Sequence, residues 1–327
     1  MDAAGDDGRS RRAGRPAPGR VVTVAVPGGV VRPRAGSIVV PAWNEETVIE
    51  RTLGSLLDGL DRAGPGEHVR PPVVVVAANG CTDRTVEIAR ALAARVPDGV
   101  EYRVLDLPAI GKAGAIRAAE SVLDELPRIY LDADTTMSGP AAIAVLSELR
   151  SGRAHGARPP IRYAIDDASR LVRAFYRIRA ELPGVAGDLC GAGVYGLSDV
   201  ARGRFGEFPE VSGDDLFAAR VVADDEVSIV DADPVEVHVP RNARALVKTL
   251  ARIYRGNRQV SEVDDQVAGS TARRTVRDLR GAASTPRRAA DATVYAVVVV
   301  LGRLASMRPA TGWERDDTAR SGEQETP

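Results

Sequence analysis

Cysteine is scarce in this 327-residue chain, and so is any excess of charge. Only Cys81 and Cys190 are present, and no C-x-x-C pair occurs, which excludes a disulfide framework and a cysteine zinc site. We therefore expect two free thiols in a reducing compartment. The 44 Lys and Arg residues balance 45 Asp and Glu residues, so the formal net charge is -1 and no global field favours nucleic acid.

An apolar run is also missing from the start of the chain. Residues 5–20 are Gly, Arg, Ser and Pro with acids, and they contain no apolar core of the kind that a signal peptide needs. We expect the basic N-terminal segment, residues 1–35, to be disordered and the protein to be cytoplasmic.

One apolar stretch lies near the other end of the chain, over residues 289–304. It is shorter than the roughly 20 residues that cross a bilayer, so we expect a short packing helix within a C-terminal extension, 263–327, that ends in a frayed tail. An interfacial anchor is the alternative, because six arginines lie just before the stretch and polybasic segments attract anionic lipid. In that case the protein would contact the inner face of the cell membrane.

Strand and helix patterns alternate from residue 36 onward. Short apolar runs predict strands over 37–40, 73–76, 102–105 and 128–131. Between them, Asn44 is predicted to cap a helix that runs to about Leu60, and Thr82 is predicted to cap the next helix. The order predicts a single α/β domain over 36–262, with a mainly parallel sheet flanked by helices and with ligands at the carboxyl ends of the strands.

Two carboxylates follow the fourth predicted strand. Asp132 and Asp134 are two residues apart at the end of an extended segment, so both side chains can project to the same side. Convergent carboxylates are hard oxygen ligands that suit Mg2+ or Mn2+, and such a cation is usually completed by substrate phosphates. The pair therefore predicts a diphosphate held through a metal ion. Two solvated turn acids are the alternative.

Three further motifs follow predicted strands at the same edge of the sheet. The run from Pro41 to Glu45 follows the first strand, and Asn79 and Asp83 flank the turn after the second. Asn79 and Asp83 are candidates to bind a base or ribose, or are simply a turn asparagine and a helix-dipole acid. Lys112 lies at a predicted helix start, where the helix dipole and the ammonium group favour a phosphate, although an ordinary surface lysine is the alternative.

A literal G-x-G-x-x-G sequence occurs at residues 191–196. The segment before it is a poor central strand, and the segment after it lacks the apolar periodicity of a long helix. A dinucleotide-binding fingerprint needs both a strand before it and a helix after it, so we reject that interpretation. We expect instead a glycine-rich loop that lets an acceptor or a neighbouring backbone approach closely.

The second half of the domain contributes acids and cations. Asp214 and Asp215 precede a predicted helix, where they either compensate the helix dipole or supply a general base for an acceptor hydroxyl. His238 ends a strand-like segment and is a candidate metal or phosphate ligand, with a structural histidine as the alternative. Arg252 and Arg255 lie three residues apart on a predicted helix, where they could hold a diphosphate or form a solvated face.

In this order, the motifs resemble those of the family 2 glycosyltransferases, which have the GT-A fold. The resemblance covers about residues 36–260 and rests on five segments, which are 38–45, 79–85, 111–112, 132–134 and 213–215. It implies a Rossmann-like catalytic domain that uses a nucleotide-sugar donor and inverts the configuration at the anomeric carbon.

The resemblance also implies roles for individual residues. Asp134 and Asp132 would hold Mg2+ or Mn2+ on the donor diphosphate, and Asp215 would be the base. The residues that would line the nucleoside pocket are Pro41, Ala42, Glu45 and Asn79.

Two departures from the family pattern bear on the donor nucleotide and on whether the enzyme is processive. Ala78 stands where an acid that contacts the nucleobase is common, so the donor stays open between the UDP and GDP types. Processive members have a Gln-x-x-Arg-Trp motif, whereas residues 249–253 lack the Gln and the Trp, which argues against a polymerising synthase.

We therefore expect a metal-dependent, inverting hexosyltransferase that moves a single sugar to an acceptor hydroxyl in polysaccharide, glycolipid or metabolite glycosylation. One alternative is a sugar nucleotidyltransferase, which would release pyrophosphate. Another is a catalytically inactive partner that only binds nucleotide sugar. The richness in Ala, Arg, Val, Gly and Asp is typical of a GC-rich bacterial genome.

Overall fold

The computed structural model describes residues 32–60, 69–211, 213–263 and 285–307. Most of the N-terminal segment that we predict to be disordered lies outside these residues, as does the predicted frayed tail. Both cysteines are described, and both are free thiols, which confirms the expectation from their number and spacing.

The strands and helices of the described residues follow the predicted alternation. The strands are β1 (Ser37–Ala42), β2 (Val73–Asn79), β3 (Glu101–Leu107), β4 (Arg128–Leu131), β5 (Thr135–Thr136), β6 (Gly156–Arg158), β7 (Ile161–Ala164), β8 (Val194–Leu197), β9 (Val227–Ile229) and β10 (Val235–His238). The α-helices are α1 (Ile49–Leu57), α2 (Thr85–Ala91), α3 (Gly111–Glu120), α4 (Gly139–Arg150), α5 (Arg170–Glu181), α6 (Pro183–Ala186), α7 (Asp199–Arg202), α8 (Asp214–Val221), α9 (Ala243–Val263) and α10 (Pro286–Ser306).

Seven of the described strands form one sheet in the order β3-β2-β1-β4-β8-β6-β9. Strands β1 to β4 are parallel to one another, and β8 is antiparallel to both β4 and β6. Alternate residues of β2 enter two separate cores, because Val74 packs on the side of Leu53 in α1 and Val75 packs on the side of Ile116 in α3. Helices therefore cover both faces of the sheet, which confirms the predicted fold class.

Two predicted helix starts are wrong. Helix α1 begins at Ile49, and Asn44 is not its cap. Asn44 has a positive φ of 53°, and its Oδ1 accepts a hydrogen bond of 2.7 Å from the backbone N–H of Thr82. Thr82 does not cap α2 either, since α2 begins at Thr85. In both cases the polar residue joins one loop to its neighbour instead of starting a helix.

A second, smaller sheet has the order β5-β10-β7 and lies next to the carboxyl end of β4. Strand β10 is antiparallel to β5 and parallel to β7. Its strand β5 directly follows the turn that contains Asp132 and Asp134, so β10, the partner of β5, lies next to those two acids.

Helices α5, α9 and α10 pack together around a third core. Phe175 of α5 stacks on Tyr295 of α10 with 4.7 Å between ring centroids, and Leu250 of α9 lies in the same cluster. An ion pair joins α5 to α10, because Arg177 donates two hydrogen bonds to the carboxylate of Asp291, at 2.8 and 2.9 Å. The predicted packing of a C-terminal apolar helix on the domain is therefore observed.

Helix α10 is longer than the predicted 289–304. Thr285 caps it and Pro286 is its first residue, so the helix begins before the apolar stretch and reaches 21 residues. Among the described residues it is the one helix whose length and composition would allow it to cross a membrane, which by itself is weak evidence for a span. The expectation that the segment is too short to span is therefore wrong.

Candidate active site

The loops after β1 and β2 are joined by hydrogen bonds. The backbone N–H of Glu45 donates to the Thr85 hydroxyl at 2.7 Å, and the N–H of Glu46 donates to Asp83 at 3.1 Å. Burial would raise the pKa of Asp83, but hydrogen bonds from Thr85 and Glu46 outweigh it and lower the pKa. Asp83 is therefore an ionised carboxylate that joins the two loops through hydrogen bonds.

Asn79, the last residue of β2, also joins two loops. It is buried, and its side-chain oxygen accepts a hydrogen bond of 2.7 Å from the backbone N–H of Ile110, just before α3. Pro41 and Ala42 end the neighbouring strand β1, and Ala42 is buried. The residues predicted to line a nucleoside pocket therefore come from two adjacent parallel strands and the loops that join them.

Lys112 lies between two carboxylates from distant parts of the chain. Its ammonium is 2.7 Å from Asp132 Oδ1 and 2.7 Å from Asp214 Oδ1. The hydroxyl of Tyr195 donates to the other oxygen of Asp214 at 2.9 Å. Burial would lower the pKa of Lys112, but the two carboxylates outweigh it and raise the pKa, so the amine stays protonated. Lys112 thus joins the two acidic motifs, a role that sequence reasoning did not predict.

Asp132 and Asp134 lie in a tight turn after β4. The N–H of Thr135 donates to the backbone oxygen of Asp132 at 3.0 Å, and the N–H of Asp132 donates to the oxygen of Gly193 at 2.8 Å. Burial raises the pKa of Asp132, and the carboxylates of Asp214 and Asp134 raise it further against the opposing charge of Lys112. The two acids therefore lie in one turn, where their negative charges repel each other.

His238 lies beside Asp134. Strands β10 and β5 pair Val237 with Thr135, so the continuation of that register sets His238 opposite Asp134. Burial lowers the pKa of His238 and the charge of Arg51 lowers it further, while the carboxylates of Glu236, 3.6 Å from Nε2, and of Asp134 oppose the shift, so the imidazole is neutral at pH 7. Its Nε2 atom is buried without a hydrogen-bond partner among the described residues.

These side chains could share a divalent cation. Within residues 32–60, 69–211, 213–263 and 285–307, no group of three His, Cys, Asp or Glu side chains is arranged to hold a metal ion by itself. Asp134 and His238, with Asp132 next to them, supply carboxylate oxygens and one neutral nitrogen. That donor set suits Mn2+ or Mg2+ when the oxygens of a phosphate complete the coordination.

Asp215 has a different environment from its neighbour Asp214. One of its oxygens accepts a hydrogen bond of 2.9 Å from the N–H of Gly191, and the other accepts one of 2.8 Å from the N–H of Leu216. Asp214 is buried, whereas Asp215 is partly exposed. The structure therefore separates the pair into one buried acid held by Lys112 and one accessible, oriented acid.

The glycine-rich loop at 191–196 allows the close approach that we predicted. Gly193 has a φ of +67°, and a Cβ at this position would lie 2.1 Å from the Thr135 hydroxyl oxygen. The second half of the motif forms strand β8 rather than the start of a helix. The rejection of a dinucleotide fingerprint is therefore confirmed.

Arg252 and Arg255 lie on α9, which packs against the start of α8. A Cβ built on Gly213 would lie 3.8 Å from the backbone of Gly256 and 3.4 Å from Val260. Helix α9 therefore runs past the Asp214-Asp215 pair.

Sequence reasoning missed Tyr195, which holds Asp214, and Arg179 of α5. A Cβ built on Gly191 would lie 3.2 Å from Nη2 of Arg179, so this guanidinium lies beside the loop that contacts Asp215. Neither residue has a local motif. Their partners lie elsewhere in the sequence, so only the fold brings them together.

The mainly parallel sheet, with an acidic pair at the carboxyl end of a central strand, is the arrangement of the GT-A fold. Residues 37–197, nearly half of the chain, match the family model described as Glycosyl transferase family 2, so this segment is a glycosyltransferase family 2 domain. The expectation drawn from the order of the motifs is confirmed.

Two known proteins are similar to this chain. Over 116 residues the chain is 31% identical to the glycosyltransferase AglD of Haloferax volcanii, and the match covers 36% of this chain and 18% of AglD. The mannosyltransferase PcManGT from Pyrobaculum calidifontis, solved in complex with GDP-Man and Mn2+, is similar in structure with a TM-score of 0.52. It is 19% identical, and the similarity covers 84% of this chain and 74% of that one, which shows a shared fold.

Proposed function

We propose that the protein transfers a single hexosyl group from a nucleoside-diphosphate sugar of the UDP or GDP type to an acceptor hydroxyl, with inversion and with the help of a divalent metal ion. The observation that supports this most directly is the convergence of the Asp132-Asp134 turn, His238 and the Asp214-Asp215 pair at one edge of the sheet. Ligands in open α/β sheets bind at this edge.

Asp134 and His238, with Asp132, would hold Mg2+ or Mn2+. When bound, the metal ion would neutralise charge that develops on the leaving diphosphate. The presence of Mn2+ and GDP-Man in the structural relative PcManGT supports this proposal. The Pro41–Glu45 loop and Asn79 would enclose the nucleoside, and the cationic residues Arg252 and Arg255 on α9 would face the diphosphate.

Asp215 would act as the general base. As the acceptor oxygen bonds to the anomeric carbon, the bond from that carbon to the diphosphate breaks, and Asp215 takes the hydroxyl proton. Gly191 and Leu216 hold its carboxylate in one orientation, and the carboxylate is partly exposed. Asp214 is less suited to this role because it is buried and its charge is paired with the ammonium of Lys112, whereas Asp215 is partly exposed and accepts hydrogen bonds from backbone N–H groups.

The proposal is tested by incubating the protein with UDP-glucose or GDP-mannose and Mn2+, and measuring release of the nucleoside diphosphate with and without EDTA. We expect chelation to abolish release, and Asp215→Asn to lower turnover by about 10² to 10⁴ without weakening nucleotide binding. Asp134→Asn should weaken binding of UDP or GDP in the presence of Mn2+.

Asp199→Asn is the matched control, since Asp199 is also an acid in the first turn of a helix but is exposed on α7. Normal turnover in Asp215→Asn would contradict the base assignment. Release of pyrophosphate from a sugar 1-phosphate and a nucleoside triphosphate would favour the nucleotidyltransferase. Nucleotide binding with no turnover in any variant would favour the inactive partner.

A second proposal is that the cytoplasmic protein touches an anionic membrane surface through α10. Of the eight large hydrophobic side chains that are exposed among the described residues, seven lie on α5, on α9, on α10 or at the C-cap of α10. Arg303 is exposed on α10 between Leu301 and Leu304, so the apolar outer face is next to positive charge, whereas Arg288 at the start of the helix is paired with Glu181.

Co-sedimentation with vesicles tests this contact. We expect binding to phosphatidylglycerol vesicles but not to phosphatidylcholine vesicles, and weaker binding after Leu301→Ser or Leu304→Ser. Val200→Ser, which removes an exposed apolar side chain from α7, is the control. Equal binding by all three variants would contradict the role of α10.

A further inference from the structure

We propose that Arg179 and the tyrosines around it form a subsite for an anionic group on the acceptor, so that the sugar is transferred to a molecule that bears a phosphate or a carboxylate. This inference rests on the proposed function and names the chemical class of the acceptor, which none of the sequence motifs specifies.

The position of Arg179 next to the proposed base is the first observation. Nη2 of Arg179 lies 3.2 Å from where a Cβ of Gly191 would be, and the N–H of Gly191 donates to Asp215 at 2.9 Å. Burial raises the pKa of the Cys190 thiol, Asp215 raises it further, and Arg179 opposes the shift. Arg179 and Asp215 therefore both lie beside the same short loop.

The second observation is a concentration of tyrosine. The chain has only 7 Tyr residues. Nε of Arg179 donates to the hydroxyl of Tyr163 at 3.2 Å, and the ring of Tyr176 lies 4.7 Å from that of Tyr163. Burial raises the pKa of Tyr254 and of Tyr295, and the charge of Arg179 opposes both shifts, so these rings are also nearby. Neutral phenols are hydrogen-bond donors, and the Tyr163 hydroxyl still has its own proton to donate.

The third observation is the missing counter-charge. Two other buried or half-buried arginines of the described chain show the usual arrangement: Arg177 pairs with the carboxylate of Asp291, and Arg158 donates to four backbone carbonyls. Among the described residues, no carboxylate lies within ion-pair distance of Arg179, whose hydrogen bond goes to a neutral phenol. A partly buried guanidinium in such surroundings is well suited to a bidentate anion supplied by a ligand.

The geometry of the small sheet separates this subsite from the donor diphosphate. Tyr163 of β7 is in register with Val237 of β10, whereas His238 is the next residue along and projects from the opposite face. Arg179 and Tyr163 thus lie on the side of the α5-α9-α10 core, and the candidate metal ligands lie on the other side. An anion at Arg179 would belong to the molecule that approaches Asp215, which is the acceptor.

Matched acceptor pairs test the proposal, with glycerol 3-phosphate against glycerol and glycerate against glycerol. With UDP-glucose or GDP-mannose as the donor and Mn2+ present, we expect kcat/KM to be about tenfold or more higher for the acidic acceptor of each pair than for glycerol. Arg179→Gln should remove this preference through the KM for the acceptor and leave the KM for the donor unchanged. Arg179→Lys should retain part of it, because it keeps the charge but loses the bidentate geometry.

Arg173→Gln is the control, because it removes the same charged group from the same helix. If Arg179→Gln lowers kcat/KM equally for acidic and neutral acceptors, the role of Arg179 is merely structural. If it raises the KM for the donor, the guanidinium contacts the donor diphosphate instead. Either result would overturn the proposal, as would a wild-type protein that does not distinguish the paired acceptors.

A binding measurement separates this inference from the proposed function. Calorimetric titration of the protein loaded with UDP or GDP and Mn2+ should detect glycerol 3-phosphate, with binding weaker by about tenfold in Arg179→Gln and unchanged in Arg173→Gln. Failure of UDP and GDP themselves to bind would count against the proposed function. Nucleotide binding without any binding of glycerol 3-phosphate or glycerate would count against the acidic acceptor alone.

Discussion

At the scale of single residues, Lys112 links parts of the chain that are far apart in sequence. Its ammonium bridges Asp132, at the end of β4, and Asp214, at the start of α8, with both contacts at 2.7 Å. A compact ammonium with three donors can lie between two carboxylates, and its charge offsets their mutual repulsion. The bridge therefore holds the Asp132-Asp134 turn and the start of α8 at a fixed separation.

Replacing Lys112 tests how much this bridge contributes to stability. Lys112→Met leaves the buried Asp214 with only Tyr195 as a partner, so we expect the free energy of unfolding to fall by about 2–4 kcal/mol. This is slightly less than the cost of breaking a fully buried ion pair, because Asp132 stays partly solvated. Urea denaturation at pH 7 measures the change. Lys248→Met, on an exposed position of α9, should cost less than about 0.5 kcal/mol. Equal losses in the two variants would contradict the bridge.

The acids of the site could be found from sequence, whereas their partners could not. Asp132, Asp134 and Asp215 stand in short local patterns that follow strands or precede helices, and such patterns are visible in one dimension. The contacts of Lys112, Tyr195 and Arg179 depend on which strands become neighbours. In a chain with 44 Lys and Arg residues, one arginine beside a glycine loop gives no signal of its own.

At the scale of elements, the turn after β4 and the loop before β8 depend on the absence of a side chain at Gly193. This glycine has a positive φ, and any Cβ would overlap the Thr135 hydroxyl. The two segments can then approach closely enough for the oxygen of Gly193 to accept the N–H of Asp132 at 2.8 Å.

Gly193→Ala separates the steric effect from the backbone effect when compared with Gly152→Ala. Gly152 also has a positive φ, of +74°, but a Cβ at this position would meet no atom within 4 Å among the described residues. We expect Gly152→Ala to cost about 1–2 kcal/mol of unfolding free energy and Gly193→Ala to cost clearly more, since a displaced Thr135 also shifts Asp134. Thermal and urea unfolding, with Mn2+-dependent nucleotide binding, measure both effects. Similar values for the two variants would mean that Thr135 moves aside freely.

Element types were easier to predict than element boundaries. The apolar runs identified the buried strands β1, β2 and β4 because hydrophobic burial is recorded locally in each run. The helix starts failed because Asn44 and Thr82 have the composition of caps, yet bond to each other across two loops. A capping residue and a loop-joining residue look alike until the neighbouring loop is known.

At the scale of the whole molecule, the sheet domain continues into the helical core of α5, α9 and α10. Tyr295 and Val298 of α10 are buried there, while Val297 and Val300 on the same helix are exposed. The helix is therefore attached by one face only, and that face includes the tyrosine that lies beside Arg179.

Two substitutions on α10 test this attachment in solution. Tyr295→Ala should lower the free energy of unfolding by about 3–5 kcal/mol, because it removes a buried aromatic ring that stacks on Phe175. Val300→Ala, on the exposed face, should change it by less than about 0.5 kcal/mol. Differential scanning fluorimetry and urea unfolding measure both. A small effect of Tyr295→Ala would mean that α10 is not packed on the domain in solution.

Because lysine is rare in this chain, the state of the Lys112 bridge can be followed by chemical labelling. Lysine occurs only twice in the whole chain, at Lys112 and Lys248. An amine-reactive reagent requires a deprotonated nitrogen, and two carboxylates keep the Lys112 nitrogen protonated, so of the two lysines Lys248 should be modified first. Labelling of the Lys112 peptide, detected by mass spectrometry, would then show when Lys112 separates from Asp132 and Asp214. One side chain could thus reveal which compounds enter the site before any product has been identified.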